Sequence, residues 1–132
     1  MNYTSQYQKT VKELDRAFSL YIRHRDSTEH GCVCFTCGSV GYLEEMHAGH
    51  FISRKWLALR WDEKNVHAQC YTCNVTKNGN MKKYTERLVE MFGSEIIKYL
   101  FDRKSLVATH SVPEMKDLIR KYKKLDIVPK PF

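Results

Sequence analysis

Two C-x-x-C pairs constrain this chain more than anything else in it. Cys34-Phe-Thr-Cys37-Gly38 and Cys70-Tyr-Thr-Cys73-Asn74 are separated by residues 38–69. A C-x-x-C turn offers two sulfurs from one tight loop, and a following glycine eases the turn. Tetrahedral zinc takes four such ligands, so Cys34, Cys37, Cys70 and Cys73 complete one structural zinc site. Buried free thiols or a redox pair are the alternatives. The fifth cysteine, Cys32, misses the knuckle spacing and reads as a small buried hydrophobe, with a swap into the ligand set as the alternative. An odd cysteine count with this spacing points to metal in a reducing compartment rather than to secreted disulfides. At 132 residues the chain is long enough for one domain with a modest core, which a metal staple would strengthen.

Charge narrows the partners. Lys plus Arg number 22 against 15 Asp plus Glu, a formal +7. Such a balance suits nucleic acid, and equally a solvated basic face. No apolar run approaches the roughly 20 residues of a membrane span, and the polar start Met1-Asn-Tyr-Thr-Ser5 lacks an apolar signal region. The expectation is a soluble, cytoplasmic chain with no membrane partner.

Residues 4–25 read as an amphipathic helix, with Tyr7, Val11, Leu14, Phe18 and Tyr21/Ile22 forming an apolar stripe and Thr4 or Ser5 as cap. The stripe suits core packing or a dimer seam. Arg23 and Arg25 fall at its end, where cations complement the helix dipole or reach phosphates. Residues 27–31 read as a turn and 32–41 as the first knuckle. Residues 42–51 suit a strand pair better than a helix, since Gly49 disfavours one. Residues 52–64 read as a loop or short helix carrying Arg54, Lys55, Trp56, Arg60 and Trp61. This interleaving of basic and aromatic residues suits either base stacking or tryptophans capping a core edge. Residues 65–69 alternate like a strand, with Asn65, His67 and Gln69 on one face. A helix over 71–78 ends at Gly79. The remainder is helical: one helix through Tyr84 and Leu88 stops at Gly93, and a second restarts at Ser94. A third opens on the capping box Ser111-Val-Pro-Glu114, with Met115, Leu118, Tyr122 and Leu125 on one side. Pro129 and Pro131 mark an ordinary tail.

Joining 34–37 to 70–73 through one metal places the strand at His47–His50 beside the strand at Asn65–His67 and the helix at Asn74. That order resembles the HNH, or ββα-metal, endonucleases. The resemblance narrows on Ala48-Gly-His-Phe51, on Leu59-Arg-Trp-Asp-Glu-Lys-Asn-Val-His-Ala-Gln-Cys70, and on Cys73-Asn74 with Lys77-x-Gly79-Asn80 and Tyr84. With Tyr21-Ile-Arg-His-Arg-Asp26 upstream, these motifs resemble the phage NinG (Rap) recombination endonucleases over nearly the whole chain. The resemblance implies a phage- or prophage-encoded nuclease that cuts branched DNA such as Holliday junctions and D-loops. It implies His50 as general base, Asn65 as its orienting residue, and Asn74 as a ligand of a catalytic Mg²⁺ or Mn²⁺. Where an aspartate is expected three residues before the base, the chain has His47. Imidazole still serves most first-row ions, so His47 reads as the second ligand, with Glu44, Glu45 or water as the alternatives. His67 and Lys77 read as catalytic contacts to phosphate or metal, or else as a strand histidine and a surface lysine. Arg23, Arg25, Arg54, Lys55, Arg60, Lys82 and Lys83 are the expected DNA contacts.

The fold expected is α+β and mainly helical. A zinc-stapled, HNH-like ββα-metal core at 31–80 lies between an N-terminal helix at 1–30 and a helical tail at 81–132, all within one domain. The function expected is a metal-dependent endonuclease selective for branched DNA, acting as a homodimer. A non-catalytic zinc DNA-binding module and a generic HNH nickase are the alternatives.

Overall fold

The computed structural model describes residues 3–126; the tail prolines lie outside them. Helix α1, Tyr3–Arg25, opens the chain. It begins upstream of Ser5, which therefore lies within the helix rather than capping it. Its stripe buries Leu14, Ala17, Phe18 and Ile22. These residues pack against the last helix, α5 (Val112–Asp126), through Val112, Met115, Ile119 and Tyr122. Phe18 meets the Tyr122 ring edge-on at 5.0 Å. Burying each such side chain contributes about 1.5–3 kcal/mol. The α1 stripe, read as core packing or a dimer seam, is thus covered by α5 within the chain. At the start of α5, the Glu114 amide donates to Ser111 Oγ at 3.2 Å, as the capping box predicts.

Between these helices lie two small sheets. Strands β1 (Ser27–Thr28), β2 (Gly31–Val33) and β3 (Val40–Gly41) form an antiparallel meander. Residues 27–31 are therefore the tip of a hairpin rather than a plain turn. A 3₁₀ turn at Leu43–Glu45 follows. The expected strand at the first histidines is present as β4, His47–His50. Its partner is not a neighbour within 42–51 but the distant β5, Val66–Gln69. The two run antiparallel, with His47 opposite Gln69 and His50 opposite Val66. Helix α2, Leu57–Arg60, interrupts the connection between them.

The outer edge of β5 is closed by polar partners. Asp26 Oδ2 accepts from the Ala68 amide at 2.8 Å, and the Phe35 amide donates to the Ala68 carbonyl at 2.8 Å. Arg25 ion-pairs with Asp26 and donates to the carbonyls of Glu63 and Val66. The C-terminal end of α1 is in this way sewn to β5.

After β5 the chain does not form the plain α-helix expected over 71–78. Residues Thr72–Thr76 are π-helical, and Asn78, Gly79 and Asn80 all have positive φ. Helix α3 then starts at Met81, before Tyr84, and runs to Phe92. Helix α4 spans Glu95–Lys104. A second core joins Phe35, Ile52 and Leu59 to Tyr84, Leu88, Ile96 and Leu100. No helix among the described residues is long and apolar enough to cross a membrane.

Gly49 sits where β4 crosses the Gln69 side chain. A Cβ there would lie 1.9 Å from Gln69 Oε1 and 2.7 Å from its Cδ. Gln69 cannot swing away freely, because it is fully buried and its Nε2 donates to Thr36 Oγ1 and the Gly79 carbonyl. Gly49→Ala is expected to cost about 1–3 kcal/mol through overpacking. Urea unfolding checks this: a midpoint unchanged from wild type would contradict it.

Candidate metal centre and catalytic cleft

The meander brings Cys34 and Cys37 to one side of a small cluster, and the turn after β5 brings Cys70 and Cys73 to the other. All four sulfurs lie within 4.8 Å of one another. Cys37 Sγ and Cys70 Sγ are 3.8 Å apart. A tetrahedron with Zn–S bonds of about 2.3 Å has edges of about 3.8 Å, so the four cysteines could hold a metal ion such as zinc. The loop chemistry serves the same end. Gly38 takes φ +80° and its amide closes on the Cys34 carbonyl at 2.9 Å.

Donors surround the sulfurs. The Cys73 amide points at Cys70 Sγ, Asn80 Nδ2 points at Cys73 Sγ, and the hydroxyls of Thr36 and Ser39 lie beside Cys34 and Cys37. Burial opposes a charge on Cys34, but the Thr36 hydroxyl and nearby backbone amides outweigh it and bring this thiol down to about 6. Burial pushes Cys73 up to about 11. Cys32 is buried outside this cluster, as expected, with its Sγ 3.4 Å from the Arg23 carbonyl.

On the far side of β4 a cleft of about 390 Å³ opens between β4, α1 and the π-helical turn, lined by Asp15, Ala48, His50, Ser53, Arg54 and Asn74 among others. His50 Nε2 lies 2.9 Å from the Arg60 carbonyl. A carbonyl only accepts, so Nε2 carries the proton and Nδ1 carries the lone pair. Burial lowers the pKa of His50 below the ordinary imidazole value, which keeps it neutral at pH 7.

Asn65 does not touch that ring. It is fully buried and clamps the loop: Oδ1 accepts from the Ile52 amide, while Nδ2 donates to the carbonyls of Ile52 and Leu59. Leu59 precedes the carbonyl that holds His50, so Asn65 acts on the ring through the backbone.

Asn74, the residue after the last cysteine, lines the cleft, and its Nδ2 donates to His47 Nδ1 at 2.9 Å. His47 and Asn74 are therefore adjacent. Among the described residues the four cysteines are the one group of three or more His, Cys, Asp or Glu side chains gathered closely enough to hold an ion. Glu44 and Glu45 do not join His47 in such a group.

Two expected site residues stand apart from the cleft. His67 is 2% exposed, stacked on Phe35 at 4.0 Å, with Nδ1 3.3 Å from the Tyr84 hydroxyl. That hydroxyl donates to the Gly49 carbonyl. Burial brings His67 down to about 4. This is the strand-histidine alternative, neutral and packed. Lys77 is exposed where the π-helical turn ends and does not line the cleft.

The expected DNA contacts divide as well. Arg23 is bonded to the Ser19 and Leu43 carbonyls, Arg25 to Asp26 and β5, and Arg60 to Asp15, so all three hold the fold together. Arg54, Lys55, Lys82 and Lys83 are exposed.

Asp15 was not singled out from sequence. Its carboxylate takes Arg60 through two nitrogens, at 3.0 and 2.6 Å, and accepts from Trp61 Nε1 at 3.0 Å. It thereby fixes the residue whose carbonyl fixes His50. A signal was present: Asp15 falls at stripe spacing between Val11 and Phe18, an acid where the pattern calls for an apolar residue.

Fold and cluster define a mixed α+β, mainly helical protein with a four-cysteine site able to hold a metal such as zinc. The family profile described as "Bacteriophage Lambda NinG protein" matches residues 3–127. The chain belongs to the NinG family. It is 33% identical over 88 residues to Protein ninG of Escherichia phage 933W, covering 66% of this chain and 42% of that protein. To Protein ninG of Salmonella phage P22 it is 34% identical over 84 residues, covering 63% and 39%. To that of Escherichia phage lambda it is 32% identical over 88 residues, covering 66% and 41%. The matched stretch spans well under half the length of these relatives. No solved structure matches.

Two outcomes follow from this geometry. Cys73→Ala should abolish cooperative folding, because metal binding to such a cluster is coupled to folding. Elemental analysis should find zinc in the wild type, and a wild-type melting temperature for Cys73→Ala would contradict the clamp. For His67, the unfolded chain takes a proton near pH 6.5 and the folded chain only near about 4. Between those values the unfolded state binds more protons, so stability is complete above pH 6.5 and declines as pH falls. The slope should approach about 1 kcal/mol per pH unit. Urea titrations from pH 6.5 to 5.5 on wild type and His67→Phe should differ by that slope; equal slopes would show that His67 is not buried neutral.

Proposed function

We propose that this chain is a metal-dependent DNA endonuclease of the HNH, or ββα-metal, class, selective for branched recombination intermediates. One observation carries the reading. His50 is half-buried and neutral, its Nε2 proton is committed to a backbone carbonyl, and it shares a cleft with Asn74, which touches His47. A general base needs a lone pair near neutral pH in a fixed tautomer. Nδ1 of His50 supplies it. A scaffold has no use for that arrangement.

In the proposed reaction Nδ1 takes a proton from a water whose oxygen attacks the phosphorus, the bond from phosphorus to the 3′ oxygen breaks, and that oxygen takes a proton from solvent to leave as a hydroxyl. Asn65 and Asp15 hold the Leu59–Arg60 backbone so that the ring keeps its direction. His47 and Asn74 would hold the divalent ion. They offer one nitrogen and one amide oxygen, a set that suits an ion completed by phosphate and water, with Mn²⁺ preferred over Mg²⁺ because imidazole is the softer ligand. Such an ion would supply neutralisation of the charge that develops on the phosphate. Arg54, on the cleft wall, is placed to meet a phosphate. Lys77 and Lys82 are exposed and placed to grip the backbone of the duplex, with Lys83, paired to Glu86, beside them.

Support for branched DNA as substrate comes from family membership together with the excess of basic residues. A four-way junction needs symmetric nicks, so the proposed acting species is a two-fold dimer. Its seam must lie outside the α1 and α5 stripes, which are already buried.

The test incubates a labelled four-way junction and its linear duplex arms with wild type and His50→Ala, across Mg²⁺, Mn²⁺ and Zn²⁺. Cutting of the junction by wild type, a loss of about 10²–10⁴-fold in rate for His50→Ala, and retained junction binding are expected. Binding without cutting by either chain in every metal would make this a DNA-binding zinc module. Equal cutting of duplex and junction would make it a nickase without branch preference.

A further inference from the structure

A second groove, of about 440 Å³, adjoins the cleft. Ser53 lines both. Its walls are aromatic and cationic: Trp56 is 37% and Phe101 50% exposed, and Phe51 forms part of the same lining. Lys55 Nζ stands 5.3 Å and Lys104 Nζ 5.0 Å from the centre of the Trp56 ring. Lys104 also lies 6.0 Å from the Phe101 ring. No residue lining the groove is acidic.

This pattern differs from that of the other tryptophan. Trp61 is 8% exposed and hydrogen-bonded to Asp15, so it caps core. Trp56 lies outside all three hydrophobic clusters. It precedes α2, and Lys104 reaches it from the last turn of α4. Two ammonium groups above an exposed indole, with no carboxylate in the lining, form a site that is electrostatically incomplete. Phosphates would complete it. As the ammonium groups turn to phosphates, the indole face is freed for a base.

Resting on the nuclease reading above, we infer that the Lys55–Trp56–Phe101–Lys104 groove is a subsite for an unpaired nucleotide of the DNA substrate. The base stacks on Trp56, with Phe101 in the same lining, and Lys55 and Lys104 take the flanking phosphates. Because Ser53 connects groove and cleft, the unstacked nucleotide lies next to the phosphate presented to His50. Strands leaving a branch point provide such nucleotides, whereas intact duplex does not. The groove thus gives a physical basis for branch preference: a base held out of the stack costs little at a junction and more in linear DNA. Stacking on an aromatic ring is tolerant of sequence, so the subsite selects structure rather than bases.

The experiment uses the full zinc-loaded chain carrying His50→Ala, so that no cutting intervenes. Binding is read with a short single-stranded oligonucleotide containing 2-aminopurine, whose fluorescence is quenched by stacking. The background chain is expected to bind and quench. Trp56→Ala and Phe101→Ala should each weaken binding roughly five- to hundredfold. Trp56→Ala should abolish quenching, and Trp56→Phe should restore it. Lys55→Ala with Lys104→Ala should flatten the dependence of affinity on salt. Both aromatic positions are exposed, and circular dichroism confirms that each variant folds. Unchanged affinity and quenching in Trp56→Ala would overturn the subsite while leaving the nuclease reading intact. Stacking in a chain whose His50 form never cuts would retain the subsite and overturn the nuclease reading. A change in oligomeric state on Trp56→Ala, with DNA binding unaltered, would make the groove a surface for a second copy and overturn the inference.

Discussion

The four-cysteine cluster is the constraint on which the rest of the structure depends. The sheets are two to four residues long, and strands that short do not persist alone. What holds β2 and β3 near β5 is the approach of Cys34 and Cys37 to Cys70 and Cys73. Asn74 follows the last of these cysteines directly, so whatever fixes Cys73 also fixes the residue that meets His47. The cluster sets the distance between two strands and the turn that follows them.

Around that clamp the polar contacts are arranged to satisfy backbone rather than to leave charge free. Asp26 serves the open edge of β5, Arg25 serves two carbonyls at its start, and Asn65 serves three backbone groups of the loop that joins β4 to β5. Each is buried or half-buried and each has several partners, the condition under which buried polar groups support a fold rather than weaken it. Basic residues are abundant in the chain, yet several of those nearest the cleft are spent in this way. The cations left for a ligand are those on the exposed loop and on α3 and α4.

Much of this was legible in the sequence. The cysteine spacing indicated the clamp, the apolar periodicity indicated α1 and α5, and the Gly49 neighbourhood indicated a strand. The cysteine spacing also set the strand at His47–His50 beside that at Asn65–His67, but pattern gave no register for the pair, which depends on contacts between residues about 20 apart. Nor could it separate Arg25 and Arg60 from Arg54, since a cation bonded to a carbonyl and one facing water have the same letter. His67 illustrates the same limit. A histidine on a strand between catalytic-looking neighbours invites a catalytic role, and only its stack on Phe35 identifies it as core. Asp15 went unread because its partners, Arg60 and Trp61, lie far away in the chain.

The Asp15–Arg60 pair carries one more consequence. It joins the first helix to the loop whose carbonyl fixes the His50 ring, so the cleft is not contained in the strand–strand–helix unit. Residues 31–80 in isolation would keep all four cysteines and both strands, yet the loop bearing Arg60 would lose its anchor. The cluster able to hold a metal and the contacts that fix the His50 ring thus draw on different parts of the chain. The four cysteines all lie in the middle of the chain, whereas the ring's backbone anchor also depends on Asp15 of α1, a helix that packs on α5.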